Sequence, residues 1–214
     1  MQCRKLQGFS LMEMLISISI VALLALTSVF LLKSSQENDE LNTAARQLAG
    51  DIRSMQSRAL ASQNVKTCTN ASSETQLCED SIAGCAGACT AANSYGFGIH
   101  IYSASSTYVA YADITPAAPD YKYTKNTEKL FSRTLAILGS ATVYVKSITS
   151  TDSLGVQTTQ TGADIDFTRQ TGKMRLVGLG GSEPVLLIIL LEHKTSKRQV
   201  TVEINRVTGR VSIL

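Results

Sequence analysis

The chain of 214 residues predicts an α+β fold: one long N-terminal helix packed on an antiparallel β-sheet domain. Three observations predict it. Residues Met14–Leu32 form an unbroken uncharged run. Residues 33–64 then carry apolar side chains at helical spacing, and no proline interrupts the chain from Phe9 to Asn64. From Tyr95 onward, short apolar or alternating runs are separated by Ser, Gly, Asn and Pro, the pattern of strands and turns.

The run Met14–Leu32 spans about 28 Å as a helix, close to the thickness of a bilayer core. Arg4 and Lys5 precede it, in a leader (residues 1–8) that ends in Gly8. An ordinary secretory signal would end a shorter apolar core at a small-x-small cleavage site, and none is present. A plain membrane anchor fits the length, with the basic residues on the cytoplasmic side. It does not explain Glu13, because a carboxylate at the bilayer centre costs roughly 2.5–3.5 kcal/mol and such residues usually have a partner.

Basic leader, Gly8, Phe9, Glu13 as the fifth residue after the junction, and then an apolar helix: this order resembles the prepilin signal of type IV pilins and type II secretion pseudopilins. The resemblance implies a pilin-like fold. It also implies cleavage after Gly8 by a prepilin peptidase, N-methylation of Phe9, and assembly with other pilins or pseudopilins through the N-terminal helix. Glu13 would then pair with the N-terminal amine of a neighbouring subunit. The implied location is the inner membrane, single-pass, with the N-terminus cytoplasmic and the C-terminal domain exported, in contact with an inner-membrane assembly platform.

Residues 9–32 are thus the transmembrane or fibre-core half of the helix. In residues 33–64, Leu41, Ala45, Leu48, Ile52, Met55 and Ala59 recur in steps of three and four and define one face. One helix is expected from about residue 9 to about residue 63, on the order of 80 Å long. Its second half is expected to lay that face on a sheet.

Residues 65–94 contain Cys68, Cys78, Cys85 and Cys89 among small polar residues. With few large apolar side chains, the segment is expected to be a loop ordered by cross-links. An even count in an exported domain reads as two disulfides, with three pairings open. A zinc site of four cysteines is the alternative, but the spacing gives no paired C-x2-C knuckles. Cys3 lies in the leader.

Residues 95–214 are expected to be the β-rich domain. Tyr95–Tyr102 and Thr107–Ile114 read as a hairpin. Leu130–Leu138 and Ala141–Ile148 read as a second pair around Gly139-Ser140. Residues 149–162 are polar and read as a loop. Ala163–Phe167 and Lys173–Val177 flank a turn at Arg169–Gly172. Val185–Leu191 is continuously apolar, too short to span a membrane, and reads as a buried central strand. Gln199–Asn205 alternates, and Thr208-Gly209 turns the chain into Arg210–Leu214. The stretches Ile165–Leu176 (IDFTRQTGKMRL) and Val200–Val211 (VTVEINRVTGRV) resemble the pseudopilin H and FimT-like minor pilin domain (GspH/FimT).

No catalytic constellation is found. His100 and His193 are far apart in sequence, and no GxSxG, HExxH or P-loop pattern exists. The chain is therefore expected to be no enzyme and to need no cofactor or metal. Net charge is +3 for the whole chain and +1 once Arg4 and Lys5 are removed, so bulk charge selects no partner. The tail is locally basic, and Lys197, Arg198, Arg206 and Arg210 are candidate DNA contacts. Some FimT-like proteins bind DNA through a Gly-Arg-x-Arg motif. Here Gly209-Arg210-Val211-Ser212 has Ser at the last position. The alternative reading of the basic residues is solvated charge on an edge hairpin.

Overall fold

A computed structural model describes residues 11–69, 75–78, 88–114, 121–123, 128–135, 142–178 and 183–214. The leader and the Gly8–Phe9 junction lie outside the described residues, as does Cys85. The chain divides into two compact units, Met1–Asp39 and Glu40–Leu214. A continuous helix, α1 (Leu11–Leu60), contributes to both.

From Leu11 to Ser28, within the first unit, α1 is apolar on every side apart from Glu13. The window Leu11–Ser28 has mean hydropathy 2.1 and none of it is buried within the chain. Its few hydroxyls do not break it, because Ser17, Ser19 and Ser28 donate to carbonyls four residues back and Thr27 to one three residues back. Such back-bonding satisfies a hydroxyl inside an apolar helix.

In the second unit the helix has one buried stripe. Leu41, Ala45, Leu48, Ile52, Met55 and Ala59 are all buried, as the spacing predicts, and Ala44 and Ala49 widen the stripe. The helix ends at Leu60, about a turn before the expected position. Ser62 adopts a left-handed φ of 52°, Gln63 N–H donates to the Arg58 carbonyl, and Ser62 N–H donates to that of Ala59. This is a Schellman cap with Ser where Gly is usual. The missing glycine is why the stop was not visible in the sequence.

Among the described residues thirteen strands follow, all paired antiparallel. A small sheet has the order β2-β1-β3, from β1 (Asn64–Thr69), β2 (Thr75–Leu77) and β3 (Thr90–Asn93). The expected cysteine-rich loop is thus partly a sheet. Val65 and Leu77 insert into the core, so the segment needs few large side chains to hold register.

The second sheet has the order β10-β9-β4-β5-β6. It comprises β4 (Gly96–Tyr102), β5 (Thr107–Asp113), β6 (Lys129–Thr134), β9 (Gly162–Thr168) and β10 (Met174–Gly178). The third has the order β13-β12-β11-β7-β8, from β7 (Val143–Thr151), β8 (Gln157–Gln160), β11 (Leu186–His193), β12 (Gln199–Asn205) and β13 (Arg210–Ile213). The hairpins expected at β4–β5 and β9–β10 form, and β11 is central.

Two expectations are overturned. The residues around 130–138 and 141–148 do not pair with each other: β6 is the edge of one sheet, and β7 lies in the next. Turn residues mark a chain reversal, but the partner is chosen by packing. The segment 149–162 is not a loop. β7 continues to Thr151, β8 pairs with it, and Gly162 opens β9. β8 is an edge strand exposed at three of its four residues, so it needs no apolar face.

The inward faces of both large sheets and the buried stripe of α1 form one core. Polar contacts pin the helix on each flank. Gln47 reaches Tyr108 and the Thr134 carbonyl, on β5 and β6. Arg53 donates to the Val211 carbonyl on β13, and Thr142 and His193 approach Glu40. The β9–β10 turn closes the helix C-terminus. Gln170 N–H donates to the Ala59 carbonyl, and Arg169 donates to the Ser62 carbonyl and Asn64. Gly172, at φ 59°, lies so close to Leu60 that a Cβ would stand 2.6 Å from its Cγ. The IDFTRQTGKMRL stretch therefore caps the helix.

Candidate functional site

Glu13 falls in the first turn of α1, where the N-terminal end of a helix dipole favours a carboxylate. Around it Leu11, Met12, Met14 and Leu15 are exposed, from 56% to 80%. Similar side chains continue to Leu26. An exposed apolar surface on every side of a helix has a lipid or protein partner in its working state. Gly8 and Phe9 lie just before the described helix, and the structure does not test their roles.

Cys78 and Cys89 form a disulfide with Cα atoms 6.3 Å apart, which closes the small sheet across β2 and β3. Cys68 is also disulfide-bonded, to a partner outside the described residues. No cluster of metal-ligating side chains occurs among the described residues.

The four basic candidates of the tail do not form one patch. Lys197 and Arg198 sit at the β11–β12 turn, whereas Arg206 and Arg210 sit at the other end of β12. The seven residues of β12 put these ends about 23 Å apart. Lys197 Nζ lies 3.6 Å from Glu192, and Arg206 pairs with Glu183 at 2.9 Å. Glu183 also pairs with Arg175. Each turn thus carries one pair of the candidates, and Arg206 is already paired with Glu183.

The largest buried polar groups lie elsewhere. On the helix side, Asp51 is buried and accepts from the Tyr108 hydroxyl at 2.6 Å and from Arg133 at 3.0 and 3.1 Å. Burial, reinforced by the hydrogen bond to Asp51, pushes the Tyr108 hydroxyl well above its usual value. Asp51 is not one of the apolar positions that define the stripe, although it directly precedes Ile52. Nothing in the pattern names a partner fifty-seven residues away.

On the outer face of the β4–β5–β9 sheet, His100 Nδ1 meets Asp164 at 2.6 Å, and Asp166 and Asp113 are fully buried beside it. His100 is buried, with the rings of Tyr102 and Tyr123 against it. Tyr121–Tyr123 crosses this face: Tyr121 N–H donates to Asp113 and Tyr123 N–H to Asp164. Arg175 stands 4.1 Å over the Tyr121 ring. Gly98 and Gly96 make room, since a Cβ there would meet Tyr111 at 2.5 Å and Asp166 at 2.7 Å. Burial, followed by the charges of Asp113 and Asp164, raises the Asp166 carboxyl well above the usual carboxylate range. Burial likewise raises Tyr111.

Residues 3–29 match the family model described as the prokaryotic N-terminal methylation motif. No curated protein and no solved structure matches the chain. The motif, running directly into an exposed apolar helix that precedes antiparallel sheets, supports a type IV pilin-like protein. It implies processing by a prepilin peptidase and assembly with other pilins, and it is consistent with membrane anchoring.

Proposed function

We propose that the chain is a minor pilin or pseudopilin, a structural subunit of a type II secretion pseudopilus or type IV pilus. In this reading it is inserted once in the inner membrane with its N-terminus cytoplasmic, and it is cut after Gly8. It is methylated on Phe9 and drawn into a fibre by α1 from the assembly platform. It is not an enzyme. The single observation that carries this reading is the methylation motif at residues 3–29, continuous with a helix whose apolar surface has no cover within its own chain. The GspH/FimT-like stretches at residues 165–176 and 200–211 support a minor rather than a major subunit.

Glu13 neutralises the amine of a neighbouring mature N-terminus inside the apolar fibre core, where neither charge has water. Intact-mass measurement of membrane-extracted protein should give a chain that begins at methylated Phe9. A mature protein that retains Cys3, or is cut beyond residue 20, would exclude the pilin reading. Glu13→Ala should abolish co-assembly with partner pilins and leave the Glu40–Leu214 unit folded, since Glu13 is outside it. The DNA-uptake reading draws less support, because its basic residues divide between two ends of β12 and Arg206 is paired with Glu183.

A further inference from the structure

The β4–β5 turn and the β11–β12 turn face each other across a recess of about 300 Å³, lined by Ala104, Ser106, Tyr144, Lys194 and Lys197. We propose that this recess is a binding site for a carboxylate, presented by an acidic peptide segment of a partner protein. The proposal stands on the recess and does not rest on fibre assembly.

Charge is the first observation. Beneath the recess Glu192 is 3% exposed and saturated, accepting from Tyr144 at 2.5 Å, Lys146 at 2.6 Å and Gln199 at 2.8 Å. These bonds, Lys146 foremost, hold Glu192 down at about 2, so it stays ionised. One carboxylate thus faces the ammonium groups of Lys146 and Lys197, and Lys194 lines the same recess. Lys146 is consumed by it, and Lys197 stays 68% exposed at 3.6 Å. Lys194 is exposed and makes no ion pair among the described residues. The nearby Glu40 carboxylate is engaged by Thr142 and His193.

Backbone is the second observation. Ala104 and Lys197, on opposite rims, both adopt left-handed φ values of 58° and 59°. Residues with a Cβ hold that conformation only where their surroundings over-determine it. Here they do. Ala104 N–H donates to Val145 and Val145 N–H to Ser105, which ties the β4–β5 turn to the other large sheet. Lys194 N–H donates to Thr142, Lys197 N–H to His193, and Ser196 is bonded to the His193 ring. Both lysines therefore spring from fixed backbone.

The same bonds decide between ligands. Phosphate sites commonly add a nest of free backbone N–H groups or a helix N-terminus. The N–H groups of Ala104, Lys194 and Lys197 are all spent inside the protein. What remains is two point-charge donors and the hydroxyl and N–H of Ser106, with no run of successive free N–H groups among the lining residues, and this suits the two oxygens of a carboxylate. A duplex backbone would need a line of cations, because its charges recur every ~1.7 Å. The recess offers a single focus instead.

The test is lysine acylation footprinting of the full chain in nonionic detergent, read by peptide mass spectrometry. The probes are an acetylated oligoglutamate amide, its oligoglutamine counterpart, glutarate, inorganic phosphate and duplex DNA. Oligoglutamate should slow acylation of Lys194 and Lys197 severalfold, while Lys129 and Lys173 label at unchanged rates. Oligoglutamine should protect neither. Protection by glutarate as well would uphold the site and show that a free carboxylate suffices. Lys194→Gln, a change at an exposed side chain, should abolish the protection of Lys197. No protection by oligoglutamate overturns the proposal. So does equal protection of Lys129 and Lys173, or protection by phosphate or DNA alone.

Discussion

The two halves of α1 are built from the same helical geometry and stabilised by different means. In the first unit Ile16, Val21 and Leu24 are 53%, 65% and 62% exposed. In the second, Leu48, Ile52 and Met55 are 0% exposed. Helical residues here are ordered by whatever removes their apolar surface from water. For residues 41–59 that agent is the chain's own pair of large sheets. For residues 11–28 it must come from outside the chain, as lipid or as other helices. The contrast separates a segment whose fold is self-contained from one whose surface is reserved for partners. Polar side chains show the same division: in the first half serine hydroxyls bond back to their own helix, whereas in the second Gln47 and Asp51 bond to Tyr108 on β5.

The largest effect should come from shortening an equivalent leucine in each half. Leu48→Ala should lower unfolding free energy by about 2–5 kcal/mol, the cost of a cavity in a buried core. Leu24→Ala should leave it unchanged within about 0.5 kcal/mol, as surface substitutions do. Denaturant unfolding in nonionic micelles, followed by the β-sheet signal, measures both. Equal losses at the two positions would break the comparison.

A smaller effect should come from the least apolar part of the second unit. Cys78→Ser with Cys89→Ser opens a loop of sequence separation 11 and should cost up to about 3 kcal/mol. Unchanged stability would show that Val65 and Leu77 alone hold the small sheet on the core.

The smallest effect sharpens the comparison through pH. Asp166 has a folded value above its ordinary 3.8, so the folded chain holds that proton more tightly than the unfolded chain. Its contribution to stability is full below about 3.8 and is lost as pH rises through the folded value. Glu192 runs the other way: its contribution is present above 4.5 and lost as pH falls towards about 2. Asp166→Asn should therefore flatten the decline on the alkaline side and leave the acid-side loss in place. Equilibrium unfolding across pH reads this directly. An unaltered alkaline decline would remove Asp166 as its source. The exchange protection of residues 11–28 should not follow either change.

What could be read from the chain alone was whatever repeats or stands next to its partner in sequence. The apolar run from Met14 to Leu32, the stripe from Leu41 to Ala59, the β4–β5 and β9–β10 hairpins and the central β11 are of this kind. Their periods of 3.6 and 2 follow from covalent geometry. The order Gly8, Phe9, Glu13 is likewise contiguous, so it could be matched as a motif before any fold was known. Tertiary structure alone decided what depends on separation in space. It ended α1 at a Ser62 cap, because the β9–β10 turn supplies the bonds that a glycine would otherwise favour. It sent β6 and β7 to different sheets and made polar β8 an edge strand. It buried Asp51 against Tyr108, and it divided four nearby basic residues between two ends of one strand. Except at β8, whose partner β7 is its neighbour in sequence but whose polar residues show no apolar alternation, the deciding partner is far along the chain, and a local pattern carries no information about which distant surface will cover it.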